Sequence, residues 1–430
     1  MTGPEHSAWL SKSTVSVAVP LNSVESEHSS SSPSSMESLP DSTGLVLEAI
    51  KWAEKLSCRS DCESTLFSSL MNEIISLPVT TVMHIPHSAR SELAEVFAAE
   101  LKHASVDGLW GFARFFLFSK AVLRCPPRGG KKKQVIVKTI LLSRIRRWKE
   151  GDLVSLWEEA RLDSYRSGKN FNANHTSLES ANAKQAFSLA REGRYGDAMR
   201  LLSSSGCAPH DDLSAVSELQ ERHPYHSLPV WITEIPAPLV VTSSSVLEAL
   251  RGFPKASSPG GAKLRCQHLL DVIEGSTTSS AQDCLANLTD LVCFLLSGQA
   301  HPSIAPWLTS APLTVLYKKQ GGIRPIAVGV VLRRLTSRLC CSAVRQNCPD
   351  VFLPTGQIGV GICGGLEAAV HSLSTVLDSQ GSNPDLCCLK IDFSNAFKEC
   401  NRSSFLDRVH KDFPEIFVWT QWCYHCEGEL

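Results

Sequence analysis

The residues of this sequence best suited to chemistry lie near its C-terminal end, in Leu386-Cys387-Cys388-Leu389-Lys390-Ile391-Asp392-Phe393-Ser394-Asn395-Ala396-Phe397. The apolar run predicts a buried strand that delivers Asp392 to its C-terminal end, where a carboxylate can bind a hard cation such as Mg2+. Phe397, five residues on, places an aromatic ring on the following turn. In nucleotidyl transfer, carboxylates hold Mg2+ ions against the attacking and leaving oxygens, and an aromatic beside the sugar can reject a 2′-hydroxyl by contact. The same spacing also fits a plain structural role, an Asp that caps a turn above a core Phe.

Three segments precede this one. They are Phe253-Pro254-Lys255-Ala256-Ser257-Ser258-Pro259-Gly260-Gly261, Leu316-Tyr317-Lys318-Lys319-Gln320-Gly321-Gly322-Ile323-Arg324-Pro325-Ile326, and Gln357-Ile358-Gly359-Val360-Gly361. Together with the Asp392 segment, in this order, they resemble the reverse transcriptase domain of non-LTR-retrotransposon type. The first is similar to the family's Lys-x-x-Ser-Pro-Gly finger segment, the second to its Lys-x-x-Gly-x-x-Arg-Pro-Ile finger hairpin, and the third to the Gln-x-Gly stretch ahead of palm motif A. Asp392 with Phe397 looks like motif A. The resemblance covers about 250–430, and the helical part from about 84 to 225 looks like the leader that accompanies such domains in animal genomes.

The resemblance implies RNA-directed DNA polymerisation, with Asp392 as catalytic residue and Mg2+ ligand. It implies nucleotide contacts from Arg324, Lys318, Lys319 and Phe397. A guanidinium in a Gly-Gly-led hairpin can indeed reach a phosphate bidentately, although a surface hairpin charge reads the same way in sequence. The family also needs adjacent aspartates on a strand hairpin after motif A. The one Asp-Asp here, Asp211-Asp212, precedes motif A in a Pro-His-led loop and reads as a helix start. The chain is therefore expected to hold the leader, the fingers and palm motif A only, truncated before the remaining palm motifs. With one of the usual carboxylates, two-metal chemistry is expected to be lost.

These residues must be positioned by a chain of 430 residues that is 43% hydrophobic and 20% charged, long enough for two or three domains. No run approaches the roughly 20 apolar residues of a membrane span, and the N-terminus lacks a signal-peptide pattern. The 16 cysteines sit mostly in apolar runs, which predicts reduced core thiols and a cytoplasmic or nuclear setting. A formal net charge of -1 conceals segregation. From Gly111 to Lys149 there are twelve Lys or Arg (Arg114, Lys120, Arg124, Arg128, Lys131, Lys132, Lys133, Lys138, Arg144, Arg146, Arg147, Lys149) and no acid. From Pro312 to Pro349 there are seven (Lys318, Lys319, Arg324, Arg333, Arg334, Arg338, Arg345), again with no acid. With Trp110, Phe115, Phe116, Trp148 and Tyr317 interspersed, the tracts predict a footprint for RNA or single-stranded DNA. Lys131, Lys132, Lys133, Arg333, Arg334 and Arg338 are its candidate contacts, and a solvated basic face is the alternative.

The expected fold class is α+β, a helical N-terminal region followed by partial right-hand polymerase fingers and palm. Residues 1–44 form a Ser-rich tail expected to be disordered, 45–225 a helical and basic region, and 226–430 the fingers with an incomplete palm. Leu45, Leu47, Ile50 and Trp52 lead one helical pattern; Leu93, Val96, Phe97 and Leu101 mark a second. Ala181 to Leu202 reads as two short helices turning near Gly193. Pro229 to Ile232, Leu239 to Val241 and Leu313 to Tyr317 read as short strands.

Other readings remain. A non-catalytic RNA- or DNA-binding module could retain the basic tracts alone. Gly359-Val360-Gly361-Ile362-Cys363-Gly364 matches the dinucleotide-binding Gly-x-Gly-x-x-Gly pattern of a Rossmann oxidoreductase, but the two prolines in Pro349 to Thr355 make a poor preceding strand. Cys58-x3-Cys62 and Cys423-Tyr424-His425-Cys426 lack partners at zinc-finger spacing.

Overall fold

A computed structural model of the chain describes residues 60–126, 133–173, 178–191, 193–209, 212–225, 227–254, 257–275, 278–319, 321–393 and 395–426. The Ser-rich tail and the pattern led by Leu45 and Trp52 lie outside these residues, as do Arg128, Lys131, Lys132, Lys255 and Asp211. Contacts divide the chain into Met1–Asp41 and Ser42–Leu430, and all described residues belong to the second unit.

Helices α1 (Ser60–Ser76), α2 (Arg90–Val106), α3 (Gly108–Ala121), α4 (Lys133–Lys149) and α5 (Leu153–Ala173) open the described region. Leu93, Phe97, Leu101 and Ala104 recur at intervals of three and four residues and form the buried stripe of α2, as their periodicity predicts. The corner between α2 and α3 depends on Gly111, because a Cβ there would lie 1.9 Å from the His103 carbonyl oxygen. Next come α6 (Leu178–Arg191) and α7 (Tyr195–Leu202), which turn at Gly193 in the left-handed region at φ 74°. Helix α8 (Leu213–Glu221) follows, with Asp212 accepting from the Ser214 and Ala215 amides as its N-cap.

The next stretch carries α9 (Ser243–Arg251), α10 (Cys266–Ile273), α11 (Ser279–Leu296) and α12 (Ala305–Thr309). Helix α11 packs along α2, and Asn287 Nδ2 donates to the Ala98 carbonyl at 2.8 Å between them. One hydrophobic core thus joins Phe97, Phe118 and Trp148 with Leu250, Leu269, Leu288, Trp307 and Leu335, so residues on both sides of position 225 share it. Each such side chain contributes about 1.5–3 kcal/mol on burial.

Strands β1 (Leu313–Tyr317) and β2 (Ile323–Ala327) form an antiparallel hairpin with Leu316 opposite Arg324 and Tyr317 opposite Ile323. Pro325 is tolerated because β2 is an edge and its missing N–H faces no partner. After the hairpin come α13 (Val331–Val344), α14 (Cys348–Phe352), α15 (Gly365–Gln380), α16 (Arg402–Asp412) and α17 (Phe417–Tyr424). A smaller core of Val344, Cys348, Leu406, Val409, Phe413 and Phe417 ties α16 and α17 to the end of α13. The described residues are mostly helical with one small sheet, which is α+β in the general sense. None of their helices is long and apolar enough to cross a membrane.

Two groups of expected strands do not form. Pro229, Pro236 and Pro238 remove ladder donors from the 229–241 stretch. Its one ladder-like pairing is to a side chain, where the Ile232 amide donates to Gln421 Oε1 and Gln421 Nε2 donates back to the Ile232 carbonyl. The Leu386 to Asp392 run was expected to be buried, yet Leu389 is 82% and Ile391 64% exposed. A strand needs a neighbour, and β1 with β2 is the only sheet among the described residues.

Candidate nucleic-acid interface

Most described cations of the first basic tract pair in space with acids, several of them distant in sequence. Arg114 Nε donates to Glu100 on α2 at 2.9 Å. The buried Arg124 binds Glu159 and Asp163 on α5, and Arg144 lies 3.7 Å from the same Asp163. Arg147 binds Asp152 and Glu159, Arg146 meets Glu92, and Lys149 meets Glu95. Lys120 is fully buried, donating to the carbonyls of Ile75 and Leu77 just at and beyond the end of α1. Burial, followed by the charge of Lys263, pushes its ammonium down to about 7. Phe115, Phe116 and Trp148 are core residues, so they offer no face to a base. Among the described residues, the charges of Arg114, Arg124, Arg144, Arg146, Arg147 and Lys149 are thus met by acids on folding. Of its remaining cations, Lys138 is exposed, Lys133 begins α4, and Lys131 and Lys132 lie outside the described residues.

The second tract behaves differently. Among the described residues, none of Lys318, Lys319, Arg324, Arg333, Arg334, Arg338 and Arg345 forms an ion pair with a carboxylate. On α13, Arg334 Nη1 donates to Ser257 Oγ at 2.8 Å and its Nη2 to the Ser258 carbonyl. The Arg334 and Arg338 guanidinium groups stand 5.5 and 5.6 Å over the Phe253 ring. Arg333 donates to the Thr309 carbonyl, and Arg265 approaches the Ser257 carbonyl at 3.5 Å. The Phe253 to Gly261 segment and the Arg333 to Arg338 run, read separately in sequence, are thus one cationic cluster. Gly260 fixes its distance from the hairpin's exit: at φ 69° a Cβ there would lie 2.6 Å from the Gly329 carbonyl oxygen. Burial lowers the proton affinity of Arg334, Arg265 and Lys263, and lifts the Cys266 thiol to about 12.

At the hairpin tip Lys318, Lys319 and Arg324 are exposed. The Lys318 amide donates to the Gly322 carbonyl at 2.9 Å, and Gly321 and Gly322 take φ values of 89° and 77°, which closes the turn. Residues 206–208 run along the other side of β1: the Ala208 amide donates to the Val315 carbonyl and the Tyr317 amide to the Gly206 carbonyl. Helix α8 then crosses the hairpin. The Tyr317 hydroxyl donates to Asp212 Oδ2 at 2.6 Å, and the Ile323 amide donates to Glu218 Oε1 at 3.3 Å. Hydrogen bonds from Ser214 and Tyr317 hold the Asp212 carboxyl down at about 2, and those from Arg222 and the Ile323 amide hold Glu218 below its usual range.

Asp392 is exposed, and Phe397 is 99% exposed. The turn after Asp392 is fastened to the far end of α8. Asn395, at φ 56°, donates from Nδ2 to the Arg222 carbonyl at 3.0 Å, and Lys398 Nζ meets His223 Nε2. Helix α8 thus links the hairpin to the Asp392 turn, a role the sequence does not announce. Within it Glu218 pairs with Arg222 at i,i+4, at 2.6 Å. Among the described residues no three His, Cys, Asp or Glu side chains converge as a metal site. Asp392 stands as a single carboxylate, which does not fit a two-metal centre.

Gln357 closes the Gln-x-Gly turn by accepting from the Gly359 amide at 2.7 Å. The glycines after it lead into α15, but helix α14 precedes them where a dinucleotide-binding unit needs a strand, so the Rossmann reading is withdrawn. Cys423 is buried on α17, where desolvation raises its thiol, as suits a core residue rather than a metal ligand. Comparison with protein-family models, with curated proteins and with solved structures finds no match to this chain.

Proposed function

We propose that this chain binds RNA or single-stranded DNA through a surface built like reverse-transcriptase fingers, with the second basic tract as the binding face. The observation that carries this reading is the contrast between the tracts. Cations at 318–345 lack carboxylate partners, whereas those at 114–149 are largely consumed by Glu92, Glu95, Glu100, Asp152, Glu159 and Asp163. Phosphates are the ligands that cations without a carboxylate partner recognise, and contact with them is sequence-independent and salt-dependent. Lys318, Lys319 and Arg324 supply the exposed contacts. Arg333, Arg334 and Arg338 shape the neighbouring loop and add field.

RNA-directed DNA polymerisation with Mg2+ is the activity that the resemblance to the non-LTR-retrotransposon reverse transcriptases brings. That resemblance puts the Mg2+ on Asp392, which is exposed. The expectation of core thiols holds for Cys266, Cys284 and Cys340 but not for Cys341, Cys387 and Cys388, which are exposed; a cytoplasmic or nuclear setting is part of the same proposal. Fluorescence anisotropy of a labelled single-stranded oligonucleotide, titrated at several salt concentrations, tests the reading. Affinity that falls steeply with salt supports it, and no binding at low ionic strength refutes it.

A further inference from the structure

We infer that α8 is an acidic latch, with the Glu218 carboxylate seated in an anion site at the hairpin turn that a nucleic-acid phosphate takes when the helix lifts. The inference rests on the nucleic-acid reading for the identity of the ligand, and on the hairpin's own geometry for the site.

The seat is made for an anion. On the hairpin's own side the Ile323 amide donates to Glu218 Oε1 at 3.3 Å, whereas Arg222, whose bonds to it of 3.1 and 2.6 Å lie within the same helix, moves with α8. The Lys318 charge acts on the same carboxylate. The turn beside it is set by Gly322, which holds a φ of 77° and where a Cβ would make only ordinary contact, 3.4 Å, with Glu218 Oε1. A carboxylate and a phosphate monoanion use the same N–H donors, so each can replace the other there.

The end of the helix that brings the carboxylate is lightly held, the far end being fastened by Asn395 and Lys398. Of α8 only Ala215 is buried, and Leu213 is 81% exposed. Its ties to the hairpin are the exposed Tyr317–Asp212 hydrogen bond and the part-buried Ile323–Glu218 bond, which is long at 3.3 Å. Elements fastened by few apolar contacts open at low free-energy cost. An incoming phosphate chain that also engages Lys319 and Arg324 has the multiple contacts needed to displace a single carboxylate.

The test compares full-length Glu218→Gln with Glu221→Gln, which removes the same charge from the same helix one turn away from the hairpin contact. Circular dichroism first establishes that both fold like the parent. Anisotropy with a labelled oligothymidine is then measured at low salt, and tripolyphosphate is titrated separately with no nucleic acid present. The latch predicts that Glu218→Gln tightens both probes about fivefold while Glu221→Gln changes them less than twofold. Equal effects of the two substitutions, or failure of Glu218→Gln to bind tripolyphosphate, overturn the latch. Tripolyphosphate tightening without any oligonucleotide binding keeps the anion site and overturns the nucleic-acid reading instead.

Discussion

The indole N–H of Trp148 donates to Glu100 Oε1 at 2.8 Å, and that carboxylate is 1% exposed. Glu100 also takes Arg114 Nε, whose guanidinium stands 5.5 Å from the Trp148 ring. One acid of α2 therefore absorbs both an aromatic and a cation that looked, in sequence, like parts of a nucleic-acid footprint. Glu100→Ala should leave two donors facing a buried gap and lower unfolding free energy by about 2–3 kcal/mol. Urea denaturation checks this, and a loss under about 0.5 kcal/mol, the size of an ordinary surface effect, contradicts the buried pairing.

Lys120 should give the protein an alkaline stability window. Its folded pKa is about 7 against an unfolded value near 10.5, so between these the unfolded chain binds more protons. Stability contributed by this group then rises as pH rises from 7 towards 10.5. Lys120→Met should remove that rise and, by orphaning the Ile75 and Leu77 carbonyls, cost about 1–3 kcal/mol. Thermal melts of both proteins across pH 7 to 10 measure it, with parallel pH profiles as the contrary result.

His268 should act at the acid end. Its Nδ1 accepts from the Arg265 amide, so Nε2–H donates to the Val82 carbonyl, and burial lowers the ring to about 4. The unfolded ring titrates near 6.5, so stability from this group is present above that pH and is lost as pH falls towards 4. Substitution by Phe should flatten the dependence of the urea midpoint on pH between 6.5 and 4. An undiminished slope would show that other groups carry it.

Purified chain should give no primer extension with Mg2+ or Mn2+, since Asp392 alone cannot position two metals. A gel assay with labelled primer and template reads this directly. Incorporation above background that vanishes in Asp392→Ala would contradict the single-carboxylate reading.

Local features were legible wherever neighbours in sequence are neighbours in space. The Leu93, Val96, Phe97 and Leu101 spacing gave α2, Gly193 gave the α6–α7 turn, Asp212 gave a helix cap, and the Gly-Gly turn gave the β1–β2 hairpin. Charge pairing was not legible, because Glu92, Glu95 and Glu100 lie some 14 to 54 residues from the bases they neutralise. The Asp392 run misled because an apolar string records a preference for burial without the strand beside it that burial requires. The crossing of α8 over the hairpin depends on the Ile323 amide, a backbone group that sequence cannot flag as a partner.

The central claim is that the second tract and not the paired first tract binds nucleic acid. Single-strand binding should be measured against salt for Lys318→Glu, Lys319→Glu and Arg324→Glu combined, beside Arg146→Glu and Lys149→Glu combined, each with a folding check. The hairpin triple should abolish most binding and flatten the log-log salt slope by about 2, at roughly 0.7 per lost phosphate contact, while the first-tract pair should leave the slope within about 0.7 of the parent. Loss of binding in the first-tract pair with the hairpin triple unaffected would contradict the claim.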